Sequence, residues 1–302
     1  MLCQPSTCSL TMLAPAKLNL FLRVVRRRPD GFHDLETVMT SINLFDTLLF
    51  EPSDSPEISL HVVMASSQNR NSLPPVPIPT DSSNLVVRAA QLLKDYAGIS
   101  AGVKITLVKR IPSAAGMGGG SSDAATTLAG LNRFWNLSRT RAELSELAAQ
   151  LGSDIGFFLG GCSTAICRGR GELIEPIQVP TSLHFVVARP NSGLSTPAVF
   201  KQCRPNESGA SVEEFAKSLQ DDGNSRMVRL LLNDLQAPAE ILNDEVRQMR
   251  QQFNKLPVLG HLMTGSGTSY FGVCASSRHA GMMAARLRAA GIPWVHVARS
   301  CS

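Results

Sequence analysis

No stretch of the sequence strings together the ~20 apolar residues that cross a bilayer as a helix, so no membrane partner is expected. The opening, Met1-Leu2-Cys3-Gln4-Pro5, has no basic segment followed by an apolar one, which argues against a signal peptide. Residues 1–10 are expected to form a loose leader. No Cys-x-x-Cys pair occurs. The seven cysteines, at 3, 8, 162, 167, 203, 274 and 301, are odd in number. A zinc site and a disulfide framework are therefore both disfavoured, and reduced thiols in a cytoplasmic protein are expected. The six histidines are dispersed without metal-ligand spacing. Excess charge is also slight, at +5 over 302 residues, and the basic residues are scattered. The densest cluster, Arg23 with Arg26-Arg27-Arg28, runs straight into the turn signal Pro29-Asp30-Gly31. It lacks the length and aromatic interleaving of a nucleic-acid stripe, so no nucleic-acid partner is expected. It reads as a solvated turn, with local attraction of a phosphorylated ligand as the alternative. Repeats and coiled-coil heptads are absent.

What is present is ordinary for a globular chain: 43% hydrophobic and 18% charged residues, enough for two lobes or one large domain. Leu18 to Val25 reads as a strand with Leu18, Leu20, Leu22 and Val24 on one face. Thr47 to Phe50, Ile58 to Val63 and Val103 to Val108 read as further strands. Residues 64–83, with Pro74, Pro75, Pro77 and Pro79, read as a surface connection. A helix follows, capped by Asp81 or Ser82, with Leu85, Ala89, Leu92 and Leu93 at helical spacing. Further helices are expected from about Ser122 to Phe134, over Thr140 to Leu151, and at 227–238, 242–254 and 277–290. Short strands are expected at 162–167, 183–188, Tyr270 to Cys274 and Val295 to Ala298. The polar stretch 204–226 is expected to be mobile. Mixed strands and helices without strict βαβ alternation point to an α+β fold.

One segment stands out. Pro112-Ser113-Ala114-Ala115-Gly116-Met117-Gly118-Gly119-Gly120-Ser121-Ser122 lies between an expected strand and an expected helix. Glycines let backbone N–H groups approach an anion closely, and a helix N-terminus adds its positive end. Ser121 and Ser122 are hydroxyl candidates for phosphate or for a magnesium ion. The segment is not a P-loop, because no Gly-Lys-Ser/Thr ends it. Nor is it a dinucleotide fingerprint, because Ser121 stands at the third glycine and no acidic residue follows at the required distance. A flexible turn is the remaining alternative, and by itself the loop licenses only a bound anion.

Pro112-x-x-x-Gly116-x-Gly118-Gly119-Gly120-Ser121-Ser122-x-Ala124-Ala125 resembles the central phosphate-binding motif of the GHMP kinases. Ala14-Pro15-Ala16-Lys17-Leu18-Asn19-Leu20 resembles their first motif, and Met263-Thr264-Gly265-Ser266-Gly267 their third. Arg27 to His33 and Leu151 to Phe158 are similar to those members whose acceptor carries a cytidine diphosphate group. The resemblance spans residues 12 to 298. It implies a two-lobed fold with a ribosomal protein S5 domain 2-like N-terminal lobe (1–176), a ferredoxin-like C-terminal lobe (177–302) and a site in the cleft between them. It implies ATP and magnesium, and a small-molecule acceptor phosphorylated on a hydroxyl in the non-mevalonate route to isoprenoid precursors. A monomer or homodimer is expected. Kinases of the homoserine or mevalonate type, and a non-catalytic metabolite-binding relative, are the alternatives. The chain departs from the family pattern at Phe32, where tyrosine is usual, at Met117, and at Ser153 and Gly156 around Asp154.

The resemblance also implies roles. Lys17 and Asp154 would serve the acceptor hydroxyl, the aspartate orienting it or taking its proton and the lysine stabilising developing negative charge. Without the resemblance, Asp154 could simply cap a helix and Lys17 could snorkel to the surface. Asn19, two residues from Lys17, shares its side of the strand and is expected to contact substrate. His33 would read the base edge, with Phe32 and Phe200 stacking on the ring. Asn84 would lie on the adenine side or cap a helix. Pro112, Gly116, Gly118, Gly119, Gly120, Ser121, Ser122, Gly265, Ser266 and Gly267 would hold ATP.

Overall fold

The computed structural model describes residues 9–65, 78–205, 210–221 and 224–301. Residues 1–8 of the expected leader and 66–77 of the proline-rich connection lie outside the described residues. The first half runs β1 (Leu10–Arg27), β2 (His33–Glu51), β3 (Ile58–Met64), α1 (Leu85–Ala97), β4 (Val103–Lys109), α2 (Gly119–Phe134), α3 (Arg141–Leu151), α4 (Ile155–Leu159), β5 (Thr164–Gly169) and β6 (Leu173–Pro176). The second runs β7 (His184–Arg189), α5 (Thr196–Gln202), α6 (Val212–Gln220), α7 (Asn224–Arg229), β8 (Leu232–Asn233), α8 (Gln236–Leu242), α9 (Asp244–Asn254), β9 (Gly260–Met263), β10 (Tyr270–Cys274), α10 (Ser277–Ala289) and β11 (Trp294–Arg299).

Among the described residues there are two sheets. The larger has seven strands in the order β3-β4-β2-β1-β8, with β5 also pairing β2 and β6 pairing β5. The smaller has the order β11-β7-β10-β9, all antiparallel, which is the strand order of a ferredoxin-like unit with α10 as its second crossover. Phe185, Val187, Phe271 and Val273 on one face of the small sheet join Ala16, Leu18, Leu20, Val38 and Ile42 of the large one in a single core. Its other face, Val186, Ala188, Tyr270 and Cys274, is covered by Val246, Met249 and Phe253 of α9 and Ala280 and Met283 of α10. A third core joins α1, α2 and α3 to β3, β4 and the start of β1.

The register of β1 against β2 positions the site. It shifts between Pro15 and Ala16 and again between Asn19 and Phe21. After the first shift Ala16, Leu18 and Leu20 face the inter-sheet core, so alternation turns Lys17 and Asn19 the other way, into the cleft. The second shift breaks the expected apolar face. Leu18 and Leu20 share a core with Phe21, while Leu22 and Val24 belong to the cluster under α9 and α10.

Other expectations are corrected. The cap of α1 is Asn84, whose side chain accepts the N–H of Val86, rather than Asp81 or Ser82. Helix α2 begins at Gly119, so half of the expected glycine loop is the first helical turn. The stretch 204–226 holds α6, capped by Ser211, with Val212, Phe215, Ala216 and Leu219 buried. Glu213, Glu214, Lys217 and Gln220 are the solvent face of this amphipathic helix, and residues 206–209 and 222–223 of the stretch lie outside the described residues. The helix expected at 227–238 is broken, because Leu232–Asn233 pair in parallel with Phe21 and Leu22. The large sheet therefore takes a strand from the second half of the chain.

Candidate active site

A cavity of about 980 Å³ lies in the cleft. All the sequence-predicted site residues line it except Ser122, whose side chain is fully buried and whose Oγ has no hydrogen-bond partner. Lys17 is 4% exposed, and its Nζ lies 3.6 Å from Asp154 Oδ2. Its nearest acceptor is Asn19 Oδ1. The Asn19 amide donates to Thr37 Oγ1 at 2.8 Å, and its backbone N–H donates to Thr264 Oγ1 at 2.9 Å. Asn19 thus fixes the lysine while also lining the cavity. Asp154 occupies the N-cap position of α4 but makes no side-chain capping bond. Its carboxylate, 34% exposed, is turned to Lys17 and the cavity instead.

The glycine segment is clamped from two sides. Lys17 N–H donates to Met117 O at 3.0 Å, and Ser269 N–H donates to Ala115 O at 3.3 Å. Gly116 adopts φ +74°, and a Cβ there would sit 2.2 Å from Thr264 O; Gly265 packs back on Gly116 O in the same way. The two glycine turns therefore meet backbone to backbone. Gly118 caps α2 in the left-handed conformation, leaving the N–H groups of its first turn open with no acidic residue beside them. A helix start of this kind, built from sequence-local elements, is able to hold an anion. Gly116→Ala is expected to destabilise the protein by more than the ~1–2 kcal/mol of a left-handed backbone, since the Thr264 contact adds to it. A lower denaturation midpoint with a raised KM for ATP is the expected reading.

At the other end of the cavity His33 stacks on Phe200, with ring centroids 5.1 Å apart and planes at 29°. Burial, with Arg27 nearby, lowers the His33 pKa below its ordinary value, favouring a neutral ring that can both donate and accept. Phe32, 51% exposed, does not face Phe200; the Arg170 guanidinium lies 4.9 Å over its ring. Asn84 lines the cavity while capping α1.

Sequence reasoning missed a buried triad beneath the glycine segment. Lys109 Nζ bonds Asp46 Oδ2 and, at 2.7 Å, Asp123 Oδ2. The other Asp46 oxygen accepts the N–H groups of Arg110 and Ile111, the latter at 2.9 Å. One signal was available: Lys109 continues the inward alternation of Val103, Ile105 and Leu107. Thr264 and Arg170 were missed as well. The first is buried among hydroxyl and carbonyl partners, and the second projects from the turn between β5 and β6.

A helix start able to hold an anion, lining the same cavity as a lysine–aspartate pair and packed directly against that lysine, is an arrangement suited to phosphoryl transfer. The model for the GHMP kinases N terminal domain matches residues 84–163, and that for the GHMP kinases C terminal domain matches residues 210–292, which sets the class. A 4-diphosphocytidyl-2-C-methyl-D-erythritol kinase of Pelotomaculum thermopropionicum is 40% identical over 281 residues, covering 92% of this chain and 94% of that one. The enzyme of the same name from Bacillus subtilis is 38% identical over 261 residues, 86% of each chain. A crystal structure of 4-(cytidine 5'-diphospho)-2C-methyl-D-erythritol kinase superposes with a TM-score of 0.77 at 36% identity, covering 97% of this chain and 100% of that one. The chain belongs to the 4-diphosphocytidyl-2-C-methyl-D-erythritol kinase family of GHMP kinases.

Proposed function

We propose that the protein transfers the γ-phosphoryl group of ATP to the 2-hydroxyl of 4-diphosphocytidyl-2-C-methyl-D-erythritol, in the non-mevalonate route to isoprenoid precursors. The observation that carries this reading is the Lys17–Asp154 pair in the same cavity as the open helix start and the His33–Phe200 stack. Phosphoryl transfer asks a protein for positioning and charge stabilisation more than for covalent chemistry. The backbone N–H groups of Gly119, Gly120 and Ser121 hold the nucleotide phosphates. Asp154 accepts the proton of the acceptor hydroxyl as its oxygen bonds to the γ-phosphorus. The bond from that phosphorus to the bridging oxygen breaks, and ADP leaves. Lys17 offsets the negative charge on the transferring group, and Asn19 keeps its ammonium in place. His33 reads the cytosine edge, with Phe200 and Phe32 supplying ring faces.

Magnesium travels with the nucleotide in this reading, held mainly by phosphate oxygens. The oxygen donors at the loop suit it: the Ser121 hydroxyl lines the cavity, and Asp123 Oδ1 is buried without a partner. Bound there, it would neutralise phosphate charge. Residues 1–176 and 177–302 serve as the two lobes. Among the described residues no helix is long and apolar enough to cross a membrane, and five cysteines carry free thiols, in keeping with a cytoplasmic site of action.

The test is ATP consumption with 4-diphosphocytidyl-2-C-methyl-D-erythritol, homoserine, mevalonate and galactose in parallel. The first is expected to turn over fastest, and faster turnover of any other acceptor would overturn the assignment.

A further inference from the structure

The cavity is lined by five cationic side chains: Lys17, Arg27, Lys109, Arg170 and Lys201. Two are spoken for by carboxylates, Lys17 by Asp154 and Lys109 by Asp46 and Asp123. Among the described residues the other three have no acidic partner within ion-pair distance. This is unlike their neighbours. Arg26 bonds Asp34 at 2.6 Å, and Arg28 bonds Asp34 and Asp30 at 3.0 Å each. Arg27, the last residue of β1 and next to Arg26 along the strand, is turned by alternation to the opposite side from Arg26, where it lines the cavity. Within Arg26-Arg27-Arg28 two arginines are therefore neutralised by carboxylates and one is not.

Arg170 is held more firmly. It lies between Gly169 (φ +71°) and Gly171 (φ +119°), and its N–H donates to the Glu172 carboxylate at 2.6 Å. The turn is thereby fixed, and the half-buried guanidinium lies over the Phe32 ring. The same turn reaches the reacting end of the site, since a Cβ on Gly171 would stand 3.7 Å from Asp154 Oδ1. Arg27 pairs across the strands with His33. Both arginines thus lie beside Phe32-His33, and Arg170 leads from there toward Asp154.

We propose that Arg170, assisted by Arg27, grips the diphosphate of the acceptor. This rests on the acceptor reading above. If the base is held at His33 and the hydroxyl at Asp154, the diphosphate that joins them has to pass the 169–172 turn. A planar guanidinium anchored by a ring face and an immobilised backbone offers paired donors to phosphate oxygens at little cost in ordering. These contacts would make the site prefer a diphosphate-linked alcohol to a free one.

The experiment is binding of CDP and of cytidine, alongside acceptor kinetics, for the wild-type protein and for Arg170→Met, Arg170→Lys and Arg27→Gln. Arg170→Met is expected to raise the KM for the diphosphate-bearing acceptor and the Kd for CDP about 10- to 100-fold, the scale of a lost charge-assisted contact. Cytidine affinity and the KM for ATP should move less than about 2-fold, Arg170→Lys should recover part of the loss, and Arg27→Gln should show a smaller effect of the same pattern. Raising the salt concentration should weaken CDP binding to the wild type more than to Arg170→Met. Equal losses for cytidine and CDP would assign Arg170 to supporting Phe32 alone and overturn the proposal, as would an unchanged Kd for CDP in Arg170→Met. If the wild-type protein neither binds CDP nor uses the acceptor, the functional reading itself falls and takes this one with it.

Discussion

Asp154→Asn is expected to lower kcat at least ~100-fold, the usual scale for removing a general base, while the KM for ATP changes little. The substitution is nearly isosteric, and the geometry makes it a clean test. Asp154 is the N-cap residue of α4 but makes no side-chain capping bond, so none is lost with its charge. Its one described charged partner is Lys17. The lysine stays in place through Asn19, which is held independently by Thr37 and Thr264. The denaturation midpoint of the variant should therefore stay close to that of the wild type, and steady-state kinetics with saturating acceptor should carry the whole effect. An unchanged kcat would remove Asp154 from the chemistry.

The second large effect concerns stability. Lys109→Met is expected to cost about 3–5 kcal/mol, because it leaves two buried carboxylates facing each other without a cation. Asp46 is fully buried, and burial raises the pKa of Asp123, with Lys109 pulling it back, to a net value of about 7. Burial alone would lower the lysine's own pKa, but Asp123 and Asp46 outweigh it and raise the value, so Lys109 stays charged throughout the physiological range. Because folding raises the Asp123 pKa, the native state binds its proton more tightly than the unfolded chain. The wild-type protein should consequently lose stability as pH rises from about 4 through about 7. Asp123→Asn should flatten that slope, while Lys109→Met should steepen it and lower the urea midpoint at pH 7. A Lys109→Met midpoint equal to the wild type would mean that the triad does not hold the fold together. The triad joins the end of β4 and the entry to the glycine segment, through Lys109 and the N–H groups of Arg110 and Ile111, to Asp123 in the first turns of α2. A raised KM for ATP in the same variant is thus expected, since the proposed phosphate contacts depend on where that helix starts.

The elements most readable in the sequence were those whose cause is local. Alternation marked Val103 to Val108, helical spacing marked 85–97, and the glycines of 116–120 announced a backbone that approaches an anion. Where a distant partner intervened, reading along the chain failed. The short strand Leu232–Asn233 exists because β1 offers it a free edge some 210 residues away in sequence, and nothing within 227–238 announces it. The second register shift in β1 sends Leu22 and Val24 to a different core from Leu18 and Leu20, which alternation alone cannot foresee.

The site divides along the same line. Local motifs carried the glycine segment, the Lys17-Leu18-Asn19 spacing and the polar residues around Asp154, because each depends on backbone conformation or on the two-residue repeat of a strand. Tertiary structure decided which charges are neutralised. Lys109 finds Asp46 63 residues away, Asn19 finds Thr264 245 residues away, and Arg27 and Arg170 are brought beside Phe32-His33 with no ion pair to either guanidinium among the described residues. A charge's partner is set by proximity in space, and its strength by how completely packing excludes water. Neither quantity is a property of any segment of the chain by itself.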